Sequence, residues 1–333
     1  MADAPSPAVL ARAFELWGGD ARDPRLLGGS NCWVYSLDRA EPALVLRLTP
    51  GGPEKAARVQ AELDWLTWLA QRGAPVCAPY RSRRGRLLER LGDEPGFLAA
   101  AFHRARGWPV NSRHPTIWGP ALFETCGKTL GELHALSKDF VPSPGARRAE
   151  WDGGSLVDLA RRTLPASEHE VLRRLELSCE EFAGLPRGRD DFGLIHGDFH
   201  QGNYQIHEGR LEVFDFDDCA YGWYAWDIAV SVYTSLLSGV HRGERELAHQ
   251  ARTYFAHFAR GYVQRNRLEP DWIERLPGFL QIYNLLIFVS FSMNAERAGG
   301  RVFDFVGEHA RSGRPCFDVD FRRLYEQALR LAD

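Results

Sequence analysis

Several features are missing from this 333-residue chain, and each absence narrows what the chain can be. Its six cysteines, Cys32, Cys77, Cys126, Cys179, Cys219 and Cys316, contain no Cys-x-x-Cys pair. That removes the common zinc and disulfide frameworks and predicts reduced, mostly buried thiols. The opening Met-Ala-Asp-Ala-Pro-Ser-Pro lacks the basic start and apolar run of a secretory leader, and the apolar run Leu285-Leu-Ile-Phe-Val289 is too short to cross a bilayer. A cytoplasmic chain without a membrane partner is expected. Excess charge of one sign is lacking too: 41 basic against 44 acidic residues give a net charge of -3, which offers no general attraction to nucleic acid. The most basic stretch, Arg81-Ser-Arg-Arg-Gly-Arg86, surrounds a glycine between apolar runs and reads as a solvated turn rather than a phosphate patch. There is no internal repeat and no low-complexity linker.

What is present suggests two lobes, because one core rarely serves more than about 250–300 residues. Ser6-Pro7 opens a short helix carrying Val9, Ala13 and Trp17 at helical spacing, closed by Gly18. The segments 26–37 and 42–49 then read as strands, with Gly28-Gly29-Ser30-Asn31 as the turn of the first hairpin. A helix over 54–72, a hairpin over 80–90 and a strand over 95–102 complete this part. From about residue 107 helical patterns dominate. Leu122, Cys126, Leu130 and Leu133 mark one helix, and Ser167-Glu-His-Glu170 reads as a capping box before another. The clear β element of this half is a hairpin, Asn203-Tyr-Gln-Ile-His and Leu211-Glu-Val-Phe-Asp215, turning at Glu208-Gly209. The fold class is therefore α+β: a small antiparallel-sheet lobe over 1–102, a hinge over 103–107, and a larger, mainly helical lobe over 108–333.

Chemistry concentrates between residues 194 and 218. Transfer of a phosphoryl group to a hydroxyl needs a carboxylate to take the proton, oxygen ligands for a metal that clamps the phosphates, and cations to spread charge. In His196-Gly-Asp198-Phe-His-Gln-Gly-Asn203, Asp198 sits on a loop after apolar Leu194-Ile195, where it can accept a proton. Asn203, five residues later, offers a neutral oxygen. Asp215, at the far end of the hairpin from its turn, returns to the same edge and adds an anionic oxygen, a set that suits magnesium.

The pattern His-x-Asp-x-x-x-x-Asn followed by a strand ending in Asp resembles the aminoglycoside phosphotransferase and choline kinase family, the small-molecule branch of the protein-kinase-like fold. The resemblance runs through most of the chain in order and is strongest over 194–230. It implies a two-lobed kinase using ATP and Mg2+, with residues 1–102 as the nucleotide lobe and 108–333 as the catalytic and substrate lobe. It also implies Asp198 as the base, Asn203 and Asp215 as metal ligands, and His196 with Asp227 as braces of the catalytic loop. In the N-terminal half, Arg47 takes the place of the lysine that grips the ATP phosphates and Glu62 that of its ion-pair partner. Gly29 and Ser30 belong to the loop over the phosphates, and Ala101 and Phe102 to the adenine-binding hinge. Gly127-Lys-Thr-Leu-Gly-Glu-Leu-His-Ala-Leu-Ser137 is similar to segments of bacterial stress-response kinases, which act on protein serine or threonine, and of homoserine kinases.

Three departures qualify the resemblance. Arginine replaces lysine at 47, which keeps charge but not chemistry. Asp215-Phe-Asp217 stands where protein kinases carry Asp-Phe-Gly, and the glycine loop is shorter than Gly-x-Gly-x-x-Gly. The implied acceptor is a small-molecule hydroxyl, and acidic Asp217, Asp218 and Glu296 near aromatic residues point to one bearing an amine. A protein Ser/Thr acceptor is the alternative. Trp223, Tyr224 and Trp226 fit either a substrate cleft or core packing. Two other classes stay open: a nucleotide-binding pseudokinase scaffold, and a binuclear metallophosphatase suggested by Gly197-Asp and Gly202-Asn. The second lacks a histidine after Asn203 and an upstream Asp-x-His.

Overall fold

The computed structural model describes residues 4–29, 31–37, 42–93, 96–112, 114, 116–237, 239–293 and 300–332. The chain divides into two compact units. One comprises Met1–Gly107, Phe140–Arg148 and Glu212–Asp217, and the other Trp108–Asp139, Ala149–Leu211 and Asp218–Asp333.

In the first unit the chain begins with α1 (Pro7–Trp17), where the Ser6 hydroxyl accepts from Val9 N and Gly18 closes the helix at φ 78°. There follow β1 (Arg25–Gly28), β2 (Trp33–Leu37), β3 (Leu44–Pro50), α2 (Pro53–Gln71), β4 (Pro79–Tyr80), β5 (Glu89–Leu91) and β6 (Phe97–His103). The six strands form one antiparallel sheet in the order β1-β2-β3-β6-β4, with β5 also on β6. Side chains alternate across a strand, so the two faces of this sheet acquire different helices. Leu44, Leu46 and Leu48 of β3 with Ala99 and Ala101 of β6 join Ala13, Phe14, Leu16 and Trp17 of α1 in one core. Leu98 and Ala100 join Ala56, Val59 and Leu63 of α2 in another. Arg47, between Leu46 and Leu48, is thereby turned onto the α2 face.

The second unit holds β7 (Trp108–Pro109), α3 (Pro120–Ser137), α4 (Gly153–Thr163), α5 (His169–Ala183), β8 (Phe192–Ile195), β9 (Tyr204–His207), the start of β10 (Arg210–Val213), β11 (Ala220–Trp223), α6 (Tyr224–Leu237), α7 (Glu244–Tyr262), α8 (Pro270–Glu274), α9 (Leu276–Met293), α10 (Gly300–Ser312) and α11 (Phe321–Ala332). Two β features go beyond the single hairpin expected here. β11 pairs β8 from Ala220↔Ile195 to Trp223↔Phe192, and β7 pairs β9 at Trp108↔Ile206 and Pro109↔Gln205. Strands of two to four residues are too short for alternation to register in sequence. The capping box does not form either. Ala166–Glu168 make a 3-10 turn that absorbs Ser167, the N-cap of α5 becomes Glu168, and no side chain caps the helix.

Helix α9 extends the apolar run around 285–289 to 18 residues with mean hydropathy 1.5, long and apolar enough to cross a membrane, yet half of it is buried within the fold. Phe279, Leu280, Ile282, Leu285, Phe288 and Val289 are among its buried residues, as suits a core helix. Trp223 and Tyr224 are fully buried, and Trp223 packs edge-to-face with Phe192 and at a tilt against Phe182 and Phe279, so these two belong to the core.

Small residues let α3 and α7 approach closely. A Cβ on Gly127 would lie 1.9 Å from Phe258 O, and one on Gly261 equally close to Glu124 O. Backbone cannot yield there as a flexible side chain can. Gly127→Ala is expected to cost about 2–3 kcal/mol in urea unfolding through overpacking, and a loss near zero would show that the helices part without strain.

Candidate active site

The first unit presents a charged group on the α2 side of the sheet. The Arg47 guanidinium donates to both oxygens of Glu62, Nη1 to Oε1 at 2.9 Å and Nη2 to Oε2 at 2.6 Å. The pair is almost wholly buried. Arg47 also lies 3.9 Å from Asp217 Oδ1 and 5.1 Å from the centroid of the Phe102 ring. Burial alone would push this guanidinium toward neutrality, but the charge and hydrogen bonds of Glu62, with Asp217, outweigh it and hold it above the ordinary arginine value.

The chain leaves β10 through Asp215-Phe-Asp217, where Asp215 adopts φ 64°. Aspartate tolerates this left-handed geometry better than most residues, though at some cost. Phe216 is buried edge-on against Trp65 of α2, with ring centroids 5.4 Å apart. Trp65 lies three residues after Glu62, so one helix face holds both the arginine partner and the turn that carries Asp215. Arg148 adds a further tie, donating to the backbone oxygens of Asp217 and, at 3.3 Å, Arg58.

Gly29, at φ 127°, has room for no side chain, since a Cβ would stand 2.2 Å from Cys32 O. Nearby Cys32 is pushed up to about 11, by burial first, against the opposing pull of Arg47 and with the help of Asp217 and Asp215. Ala101 and Phe102 lie on β6, opposite Leu46 and Val45 of β3. Ser30 and Glu296, both candidates from sequence, lie outside the described residues.

The second unit holds the loop from His196 to Asn203. It is fastened from below by Asp227 in the first turn of α6. One oxygen, Oδ2, accepts from His196 N at 2.7 Å, and Oδ1 accepts from Gly197 N at 2.7 Å. Gly197 turns at φ 85°, where a Cβ would meet Asp218 O at 2.5 Å, so the loop requires glycine at this point. His196 is buried, and its Nδ1 accepts from Asp198 N at 3.3 Å.

Asp198 is tied through a single carboxylate oxygen. Its Oδ2 lies 3.1 Å from His200 Nε2 and 3.0 Å from Asn203 Nδ2, and Asn203 Nδ2 also donates to Asp198 O at 2.9 Å. With both amide protons directed at Asp198, the Asn203 side-chain oxygen is turned the other way. Burial raises the Asp198 carboxyl, but the bond and charge of His200, with His196 and Asn203, overcome it and keep the group below its ordinary value. Asp198 is therefore ionised at neutral pH. Tyr283 senses three carboxylates of this unit: its phenol is driven up by burial first, then by Asp198, Asp218 and Asp227. The Trp226 and Tyr283 rings meet edge to face at 5.9 Å.

Sequence reasoning missed His134 and Arg148. His134 Nε2 lies 3.2 Å from Asp227 Oδ2, and its Nδ1 lies 2.9 Å from the Tyr262 hydroxyl, which accepts from Asn266 Nδ2. The carboxylate can only accept, so the ring proton sits on Nε2 and the Tyr262 hydroxyl donates to Nδ1. Burial lowers the imidazole below its ordinary value despite Asp227, which keeps it neutral. One signal was available in sequence: a histidine directly after Leu133, on the buried stripe of α3, must find a partner. Arg148 gives none, because it stands in an irregular segment far in sequence from Asp217.

Removing one member of a buried ion pair strands the other charge. Glu62→Ala is accordingly expected to destabilise the protein by about 3–5 kcal/mol in chemical unfolding, and a loss under about 1 kcal/mol would mean that Arg47 is effectively solvated.

The profile of the phosphotransferase enzyme family matches residues 25–268. Amicoumacin kinase of Bacillus subtilis (strain 168) is 30% identical over 283 residues, 84% of this chain and 83% of the relative. Among solved structures, amicoumacin kinase hAmiN in complex with AMP-PNP, Ca2+ and Ami superposes with a TM-score of 0.84 at 26% identity, covering 95% of this chain and 96% of that one. A microcompartment-associated aminopropanol kinase gives a TM-score of 0.68 at 21% identity, over 96% and 97% of the two chains, and speaks to the fold alone. The metallophosphatase reading is thereby set aside, the α+β architecture is that of the protein-kinase-like fold, and the chain belongs to the phosphotransferase enzyme family, as a kinase with an alcohol group as acceptor.

Proposed function

We propose that this phosphotransferase moves the γ-phosphate of ATP, in the presence of Mg2+, onto a hydroxyl of a small amine-bearing molecule in the cytoplasm. The observation that carries the reading is the catalytic loop itself: an ionised Asp198 tied through Oδ2 alone, beside an Asn203 whose amide Asp198 orients. In this reading Asp198 takes the acceptor's proton as the acceptor oxygen bonds to the γ-phosphorus, and the bond from that phosphorus to the ADP oxygen breaks. His196 and Asp227 brace the loop.

Asn203 and Asp215 supply hard oxygen donors, the kind magnesium takes together with phosphates and water. The bound ion supplies charge neutralisation across the phosphates. Arg47, set by Glu62, steadies the phosphates. Gly29 and Ser30 cover them, while Ala101 and Phe102 receive the adenine. Arginine brings a planar fork suited to phosphate oxygens, where lysine would bring a point charge. The amine is assigned to acidic side chains. Asp217 already has Arg47 at 3.9 Å as a counter-charge, which directs a cationic group toward Asp218, whose charge reaches Tyr283, with Glu296 kept from the sequence as a further candidate.

The test is transfer of label from γ-labelled ATP to amino alcohols, aminoglycosides, homoserine and a generic protein substrate, with and without a magnesium chelator. Label is expected on a small amine-bearing alcohol, and chelation is expected to abolish it. Asp198→Ala should lower turnover by about 10²–10⁴-fold while ATP still binds. Label on protein serine or threonine would replace this reading with that of a stress-response type kinase. ATP binding with no transfer to any acceptor would favour a scaffold.

A further inference from the structure

The loop contains a side chain to which the proposed chemistry gives no part, and its hydrogen bonds are specific. His200 Nδ1 accepts from Gly202 N at 2.9 Å, and a backbone N–H can only donate. The ring proton therefore sits on Nε2, the nitrogen that lies 3.1 Å from Asp198 Oδ2. The ring is also confined from one side, since a Cβ on Gly202 would stand 2.6 Å from its Cε1, so the imidazole lies directly over the Gly202 Cα. Asn203 Nδ2 donates to the same Asp198 oxygen at 3.0 Å. Both donors thus meet Oδ2, and neither engages Oδ1.

We infer that His200 is a positioning residue for phosphoryl transfer: with Asn203 it occupies Asp198 Oδ2, fixes the carboxylate rotamer, and leaves Oδ1 as the oxygen that receives the acceptor's proton. This rests on the reading of Asp198 as the base. A rotating carboxylate would offer either oxygen in many orientations, whereas a base must meet the proton at hydrogen-bond distance in one. Asn203 alone cannot serve both purposes well, because its amide also orients a metal-ligand oxygen. A second donor on Oδ2 keeps the base in place if the Asn203 side chain adjusts. The ring and the carboxylate are each about a third exposed, so the pair lies where a substrate can reach it, unlike the buried His134 and Asp227.

The competing account is that His200 only closes the loop through Gly202. Two substitutions separate the accounts, because each keeps one half of the imidazole. His200→Asn places a carbonyl oxygen near the Nδ1 position, so it can still accept from Gly202 N, but it cannot reach Asp198. His200→Gln places an N–H donor near the Nε2 position and gives up the Gly202 bond. Steady-state turnover of these variants, of His200→Ala and of Asp198→Ala is compared with ATP and the best acceptor from the panel, with thermal unfolding as the check on folding.

The inference predicts that His200→Asn and His200→Ala lose kcat by about 10–100-fold with the KM of both substrates changed less than about 3-fold, and that His200→Gln stays within about 3-fold of wild type in kcat. Full kcat in His200→Asn beside an inactive Asp198→Ala would overturn the inference alone. Full kcat in Asp198→Ala would overturn the base reading and the inference with it. Loss in His200→Gln equal to that in His200→Ala, with His200→Asn active, would assign His200 to loop closure.

Discussion

Asp227 has no exposed surface, and an unpaired carboxylate there would cost several kcal/mol. It is tolerated because three donors surround it: the amides of His196 and Gly197 and the imidazole of His134. The arrangement works in both directions. The donors make the buried charge affordable, and the charge fixes the two residues that launch the loop from His196 to Asn203. Everything the loop presents follows from that anchor, including the turn at Gly197, the bond from Asp198 N to His196 and the direction in which Asp198 leaves the backbone. The anchor is in turn fixed by a chain of polarised bonds from Asn266 through Tyr262 to His134. Such networks are stiff because each member has one satisfactory orientation.

The first unit contains a second buried charge arranged on the same principle. Arg47 and Glu62 compensate one another with two hydrogen bonds, the geometry in which a buried pair is least costly. Their pairing depends on an alternation in β3 that turns leucines toward α1 and the arginine toward α2. A one-residue slip in that strand would reverse every side chain and place Arg47 in the leucine core. Hydrophobic patterning thus sets the register, and the register sets the charge.

Much of this could be read from the residues alone, for physical reasons that differ by element. The helices and longer strands of the first unit were legible because their apolar spacing is regular and their ends carry proline and glycine. The family was legible in the stretch from His196 to Asn203 because its pattern restricts residue type and spacing at once. What escaped was held by contacts distant in sequence. His134 meets Asp227 from 93 positions away, and Arg148 meets Asp217 from 69. Nothing local to either residue names its partner. The short strands β7, β8 and β11 escaped because pairing, not pattern, creates them. The capping box at Ser167 failed because a 3-10 turn competed for the same residues.

The claim that Asp227 organises the proposed catalytic loop is tested most directly by the turnover number of Asp227→Asn at saturating substrates. Asparagine preserves size, but its amide group can accept from only one of the two loop amides and turns a donor toward the other. A folded Asp227→Asn protein is predicted to lose about 100-fold in kcat, the scale of a displacement near 1 Å at the reacting groups. Turnover equal to wild type in that folded variant would contradict the account.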